Sequence, residues 1–306
     1  MSSATIKANK ATIAKMKTYY TDSLKKKAPQ YSAFSAKVGS VTITAYTSGK
    51  VLFQGKGAEE EASKWGSLAP SKTKTQPVNN LVDNFSSLSV IGSDETGTGS
   101  YLGPLTVAAA YVSKDNIPLL KELGVRDSKN LTDFKIKELA KQLMTLVPYT
   151  LLTVWPDKYN AIQPTMSQGE MKAKLHNKAL YDTIQKVGDG YDAILIDQFE
   201  LPKTYFNHIK DSKVMVKDKV YFATKGESHH LSVAAASIIA RHAFIEGLAQ
   251  LSRKYQVTLP SGASKQSDIA ATEILEKYGE DGLRQVAKLH FANTDKARKL
   301  FQKRQK

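Results

Sequence analysis

Between Ala4 and Trp65 the apolar and polar positions follow a pattern that predicts helix, strand, strand, strand, helix. Ile13, Met16, Tyr20 and Leu24 recur every three or four residues. That spacing puts one apolar stripe on a helix ending in the Lys25, Lys26, Lys27 run, at the negative end of the helix dipole. Phe34, Ala36 and Val38 then alternate with polar neighbours, as do Val41, Ile43 and Ala45; Gly39-Ser40 can turn between them and Ser48-Gly49 leads into Val51 to Gln54. The prediction is an antiparallel meander whose solvent face carries Ser35, Lys37, Thr42, Thr44 and Tyr46. Such a face suits a nucleic-acid backbone, and it equally describes a plain polar sheet.

Residues 66 to 87 are rich in Ser, Lys, Asn and Gln, contain Pro70 and Pro77, and show neither period, so they read as a linker. Beyond it strands are predicted near Leu88 to Ser93, Leu105 to Val112, Tyr149 to Trp155, Ala193 to Ile196 and Val220 to Ala223. Helical patterns occupy about Asp133 to Leu146, Gln168 to Val187 and Leu231 to Tyr255. This order implies an α/β fold, a mixed sheet with helices on its faces. The expected domains are residues 1–65, a linker at 66–87, and residues 88–306.

Composition narrows the possibilities. A chain of 306 residues with 41% hydrophobic and 24% charged positions is ordinary for a globular protein, and no window reads as the apolar run of about 18 residues that a spanning helix needs. With no cysteine, thiolate zinc sites, iron-sulfur clusters and cysteine nucleophiles are excluded. MSSATIKANK lacks the apolar core of a secretory signal, so a cytoplasmic chain is expected. The net charge of +15 is uneven: residues 1–90 hold thirteen lysines against five acids. A basic first third fits a polyanion partner, and also fits a merely solvated lysine-rich face.

The densest chemical signal lies between Ile91 and Pro104, where Asp94 and Glu95 end an apolar strand and run into a loop containing Gly97, Gly99 and Gly103. Neighbouring side chains on a regular strand point to opposite faces, so the two acids are expected to flank one site only through a bend. A nucleotide-binding loop matches poorly: no Lys-Ser or Lys-Thr completes a P-loop, and Leu102 stands where a third Rossmann glycine belongs. Ala193 to Ile196 closes on Asp197, which either caps the next segment or binds a cation, because a carboxylate is costly to bury alone. Glu227, in Lys225-Gly226-Glu227-Ser228-His229-His230, precedes a helix whose Ala234-Ala235-Ala236-Ser237 run allows close packing on the sheet. Four acids at strand and helix ends would form an oxygen-rich site for hard divalent cations. Two such ions about 4 Å apart activate a water and stabilise the leaving oxygen of a phosphodiester. A wide separation of Asp197 or Glu227 from Asp94, or a permanent ion pair of any of the four acids with Lys or Arg, is expected to overturn that reading.

Asp94-Glu95-x-Gly97-x-Gly99, Asp127-Ser128-Lys129-x-Leu131, Asp197, and Lys225-Gly226-Glu227 followed by Ser232 to Ile238 resemble, in that order, the motifs of the type 2 ribonucleases H, the bacterial ribonucleases HII and HIII. The resemblance covers about residues 88 to 300. Thr98 and Glu227 stand where ribonuclease HII usually has Arg and Asp, and with the amino-terminal extension they bring the chain nearer ribonuclease HIII. The resemblance implies an RNase H-like mixed sheet flanked by helices, preceded by a small α+β domain similar to the TATA-binding protein fold. It implies a metal-binding quartet at Asp94, Glu95, Asp197 and Glu227 holding two Mg²⁺ or Mn²⁺ ions. The implied reaction is cleavage of the RNA strand of RNA/DNA hybrids, leaving 3′-hydroxyl and 5′-phosphate ends. Backbone at Gly97, Thr98 and Gly99 would contact ribose 2′-hydroxyls, the group that distinguishes RNA from DNA. Thr98 in place of Arg implies action on runs of ribonucleotides.

Other residues carry plainer readings. Lys129 either approaches a substrate phosphate or belongs to the cap of the next helix. His229 and His230 are expected at the surface, Trp65 and Trp155 in cores, and Lys296 to Lys306 as a frayed basic helix end. A monomer without membrane attachment is expected. The rivals are a ribonuclease HII-like enzyme nicking at single embedded ribonucleotides, a non-catalytic hybrid-binding protein, and a DNA nuclease with the same metal chemistry.

Overall fold

A computed structural model describes residues 3–25, 28–29, 31–65 and 81–305. The chain divides into two compact units, Met1–Val78 and Asn79–Lys306. In the first, strands β1 (Ser3–Lys7), β2 (Ser32–Val38), β3 (Val41–Tyr46) and β4 (Lys50–Gln54) form one antiparallel sheet in the order β1-β4-β3-β2, with helices α1 (Lys10–Tyr19) and α2 (Ala58–Ser63). The alternating residues of the meander, Phe34, Ala36, Val41, Ile43 and Ala45, fill a core shared with Ile13 and Met16 of α1. Trp65 packs at its margin and donates to Tyr20 Oη at 2.6 Å, and that hydroxyl donates to Glu61 at 2.8 Å.

Three expectations for this unit are corrected. α1 stops at Tyr19, and Leu24 leaves the helix to bridge Ala36 of β2. Lys26 and Lys27 lie outside the described residues. β1 went unread: five residues alternate too briefly to stand out, and its stability comes from pairing with β4. Ser35 and Thr44, expected on the solvent face, are buried, and Ser35 Oγ donates to the Ile43 carbonyl at 3.2 Å.

The second unit is built on β5 (Val90–Thr96), β6 (Leu105–Val112), β7 (Tyr149–Val154), β8 (Ala193–Asp197) and β9 (Val220–Ala223). They form one mixed sheet in the order β7-β6-β5-β8-β9: antiparallel from β7 to β5, parallel from β5 to β9. Around it lie α3 (Ile117–Glu122), α4 (Asp133–Leu146), α5 (Pro156–Ile162), α6 (Gln168–Val187), α7 (Pro202–Ile209), α8 (Leu231–Tyr255), α9 (Lys265–Val286) and α10 (Asn293–Arg304). α8 and α4 close one core with β6, and α6 and α7 close another with β5, β6 and β8. Of the expected linker, residues 66–80 lie outside the described residues, while Phe85 is buried in a short turn that packs with β8 and β9. The basic carboxyl end is a docked helix rather than a frayed one, because Arg298 and Arg304 of α10 pair with Glu280 and Glu276 of α9.

α8 is the axis of this unit. By length and composition it could cross a membrane, contrary to the expectation that no window comes near, but 67% of that window is buried inside the protein. Its closeness to the sheet comes from small residues on both sides. Ala234, Ala235 and Ala236 are fully buried, and a Cβ added at Gly92 of β5 would collide with the Val233 backbone and stand 2.5 Å from Ser232 Oγ. Lower down, a Cβ at Gly247 would stand 2.8 Å from the Pro104 ring. His230, expected at the surface, is buried and caps α8: its Nδ1 accepts from the Ser232 amide at 3.0 Å and its Nε2–H donates to the Leu88 carbonyl at 3.0 Å.

Replacing Gly92 by Ala forces backbone apart, so G92A is expected to destabilise the protein by about 3 kcal/mol or more, read from urea unfolding. Burial drives the His230 pKa from 6.5 down to about 4, only partly opposed by its bond to the Leu88 carbonyl. The folded state therefore disfavours the proton, and the stability held by neutral His230 is present above pH 6.5 and lost as pH falls toward 4. The expected loss is about 2 to 3 kcal/mol across that window, and H230N, which can still cap, should flatten the slope.

Candidate active site

Asp94 and Glu95 do not need the expected bend. β5 remains paired with β6 through both, Asp94 opposite Ala108 and Glu95 opposite Val107. Ordinary alternation sends Asp94 to the α8 face with Gly92, and Glu95 to the α6 face with Ser93. The two faces are served by the same register. Two residues of strand advance about 6.7 Å and four residues of helix about 6 Å. Starting from the contact of Gly92 with Val233, that step brings Asp94 to Ser237. On the other face, the contact of Ser93 with His176 leads to that of Glu95 with Lys172.

The two carboxylates meet opposite environments. Asp94 accepts from its neighbour's amide, Glu95 N, at 2.7 Å and from the Ser237 hydroxyl, which is itself 2.8 Å from Ser128 Oγ. Those bonds are outweighed: burial first, then the negative charge of Glu95 and Asp197, push the Asp94 carboxyl well above the usual carboxylate range. Glu95 is held by two basic side chains. Its Oε1 accepts from Lys172 Nζ at 2.9 Å and its Oε2 meets His176 Nε2 at 3.0 Å, with Ser93 Oγ on the far side of that imidazole at 2.8 Å. Burial would raise its pKa, but His176 and Lys172 prevail and bring it down to about 2. The Lys172 ammonium also lies 4.0 Å from the centre of the Phe199 ring.

Asp197, at the end of β8, accepts from the Gly226 amide at 2.8 Å. A cleft of about 410 Å³ is lined by Asp94, Glu95 and Asp197 together with Gly97, Thr98, Gly99 and Lys129. Glu227 is not among the residues lining it; it sits one residue beyond the amide that holds Asp197, on the turn Gly226–Ser228. The expected cap is corrected: Asp127 accepts from the Lys129 amide at 2.9 Å and caps the short turn Ser128–Asn130, while Thr132 caps α4; the Lys129 side chain lies exposed on the cleft. Arg241, which also lines the cleft, donates to the Ser128 carbonyl and pairs with Asp133 at 2.7 Å. Ser237 stood in the sequence only as part of the small-residue motif before its contact with Asp94 was seen, and Arg241, Lys172 and His176 carried no signal but a spacing of four within a helix, which puts both members of a pair on one face without saying what that face meets.

Among the described residues no three His, Asp or Glu side chains converge as a ready-made metal cage. The fit to a cation rests on donor chemistry. The acids of the cleft offer only oxygen, suited to a hard divalent ion, and the repulsion that raises the Asp94 pKa is what such an ion relieves. The ion pair with Lys172 does not disqualify Glu95. Each carboxylate oxygen has two lone-pair sites, and one bond to each leaves a second open on both.

Comparison with known proteins bears on the same residues. Residues 91–294 match the family model described as Ribonuclease HII, and residues 3–78 match a family described only as a domain of unknown function. A relative named Ribonuclease HIII from Bacillus mycoides (strain KBAB4) is 48% identical over 309 residues, covering 98% of this chain and 99% of that one. Another of that name, from Bacillus subtilis (strain 168), is 49% identical over 313 residues, covering 99% of each. Among solved structures, Bst-RNase HIII in complex with Mn²⁺ superposes with a TM-score of 0.72 at 42% identity, covering 99% of this chain and all of that one.

Proposed function

The chain belongs to the ribonuclease HII family, among its ribonuclease HIII members, and from that membership we propose that it is a divalent-metal-dependent endonuclease that hydrolyses the RNA strand of RNA/DNA hybrids. One observation supports this most: three acids from two adjacent strands face one cleft, where burial and then the charges of the other two push the Asp94 carboxyl upward. The relative solved with Mn²⁺ and the oxygen-only donor set both favour Mg²⁺ or Mn²⁺ as the cofactor. Bound there, such ions would activate a water and neutralise charge developing on the phosphodiester, giving 3′-hydroxyl and 5′-phosphate ends.

The residues divide the remaining work. Asp94 and Asp197 would hold the ions, with Asp94 oriented by the Ser237 hydroxyl and its own neighbour's amide. Glu95, anchored by Lys172 and His176, would complete one coordination sphere from a fixed position. Glu227 would complete the other from the turn beside Asp197. The backbone of Gly97, Thr98 and Gly99 would meet the ribose 2′-hydroxyls. Lys129 and Arg241 would meet phosphates, which position a hybrid without reading its sequence. The lysine-rich first unit extends that phosphate grip. The enzyme would act as a monomer in the cytoplasm.

Three outcomes test this reading. D94N and D197N should each lower the rate on a continuous hybrid by about 100-fold or more, the scale for losing one preorganised electrostatic partner, while binding the hybrid within about threefold of the native protein. EDTA should abolish cleavage by the native protein. A non-catalytic binder would show salt-sensitive binding and no scission at all. With Thr98 between the glycines, a duplex carrying a single ribonucleotide should be cut far more slowly than the continuous hybrid in gel assays with Mg²⁺ or Mn²⁺. Equal rates would favour the ribonuclease HII-like alternative, and scission of all-DNA duplex would favour a DNA nuclease.

A further inference from the structure

Lys288 is a fully buried lysine outside the acidic cleft. Its Nζ donates to the carbonyls of Ser100 at 2.8 Å and Gly103 at 2.7 Å, and lies 5.8 Å from the centre of the Tyr159 ring. No carboxylate contributes to its electrostatic surroundings; burial alone lowers its pKa to about 7. A methionine of similar length would fill the same space without desolvating an amine. What the amine adds is its two bonds, and both end on the segment that follows Gly97-Thr98-Gly99.

That segment is held from one side. The Lys288 amide donates to Tyr101 O at 2.9 Å and the Gly103 amide to Val286 O at 2.9 Å, around a bridge between Leu102 and Ala287. Ser100 Oγ accepts from the Gly262 amide at 2.9 Å. Gln168 Nε2 donates to the Thr98 carbonyl at 3.2 Å and to Tyr159 Oη at 3.0 Å. In a planar trans peptide the carbonyl and the following N–H point in opposite directions. The Thr98 carbonyl, held by Gln168, therefore sends the Gly99 N–H the opposite way, and Lys288 fixes Ser100, whose own N–H closes the glycine turn by donating to the Gly97 carbonyl at 3.2 Å. Tyr101 N–H goes to Gly262 O at 3.0 Å, and Gly99 stands exposed on the cleft.

We infer that Lys288 is a positioning residue for ribose recognition: by clamping the Ser100 and Gly103 carbonyls from within the protein, it presets the Gly97–Gly99 backbone for the 2′-hydroxyl of the RNA strand. This rests on the reading of that backbone as the ribose contact. Lys288 touches neither the acids nor the substrate. Its effect is on how sharply the loop distinguishes a ribonucleotide from a deoxyribonucleotide.

The test is a cycle between protein and substrate. Native protein and K288M are each assayed for kcat/KM on a strand with a short ribonucleotide run paired to DNA, and on the same strand with one 2′-hydroxyl beside the cleaved bond removed. The native enzyme should lose about tenfold or more on the deoxy substrate, while K288M, already slower on the all-ribose run, should lose less than about threefold further. A purely structural lysine would leave the two losses multiplicative, with the deoxy penalty in K288M equal to the native one; that result overturns the proposal. A native enzyme indifferent to the missing hydroxyl would instead refute the ribose reading of the loop, and the proposal with it. Thermal melting establishes that K288M is folded. If it is not, K288L, which likewise removes the donor while keeping an apolar side chain, enters the same cycle under the same criterion.

Discussion

The contact on which the rest depends is the close approach of α8 to β5 at Gly92. A strand and a helix can run this near only where one lacks a side chain and the other carries small ones, and here Gly92 meets Val233 ahead of the Ala234-Ala235-Ala236 run. Once that contact is made, the matching advance of two strand residues and four helix residues leaves little freedom. Asp94 must come to Ser237. Because β5 is regular through Glu95, the neighbouring acid must face the opposite side, where α6 repeats the same step in the reverse direction with His176 and Lys172. The site is thus a consequence of packing: the strand carries the acids and the two helices decide what each acid meets.

That division gives adjacent carboxylates contrary characters. Asp94 is buried, receives only hydroxyl and amide donors and faces the charges of Glu95 and Asp197, so its own charge is disfavoured. Glu95 is ionised and fixed by two basic groups that approach one oxygen each. A pair of acids with the same partners would either both be neutralised by salt bridges or both repel. Placing them on opposite faces leaves one ionised between basic groups and the other with its charge disfavoured.

Much of this was legible before any coordinates. Asp133 to Leu146 and Gln168 to Val187 carry a helical period, Leu105 to Val112 and Leu231 to Tyr255 are apolar runs told apart by length, and all four are found with those bounds. The acids and glycines of the cleft were legible as ordered motifs. What could not be read was pairing across the sheet: β1, the burial of Ser35 and Thr44, and the turn of Leu24 out of the helical stripe all depend on distant strands. His230 looked like a surface residue because nothing local shows that the Leu88 carbonyl waits for it. Lys172, His176 and Lys288 carry the same lesson. A basic residue on a helix or in a loop reads as solvated charge until the fold shows which carboxylate or carbonyl surrounds it.

The central claim is that the packing of β5 and β8 against their helices gathers acids into a site for divalent cation. The most direct measurement is anomalous diffraction from crystals soaked in Mn²⁺. The expected result is a peak within about 2.0 to 2.6 Å of carboxylate oxygens of both Asp94 and Asp197, with Lys172 and His176 still bound to Glu95. Manganese bound elsewhere, with Asp94 and Asp197 left uncoordinated at saturating metal, would contradict it.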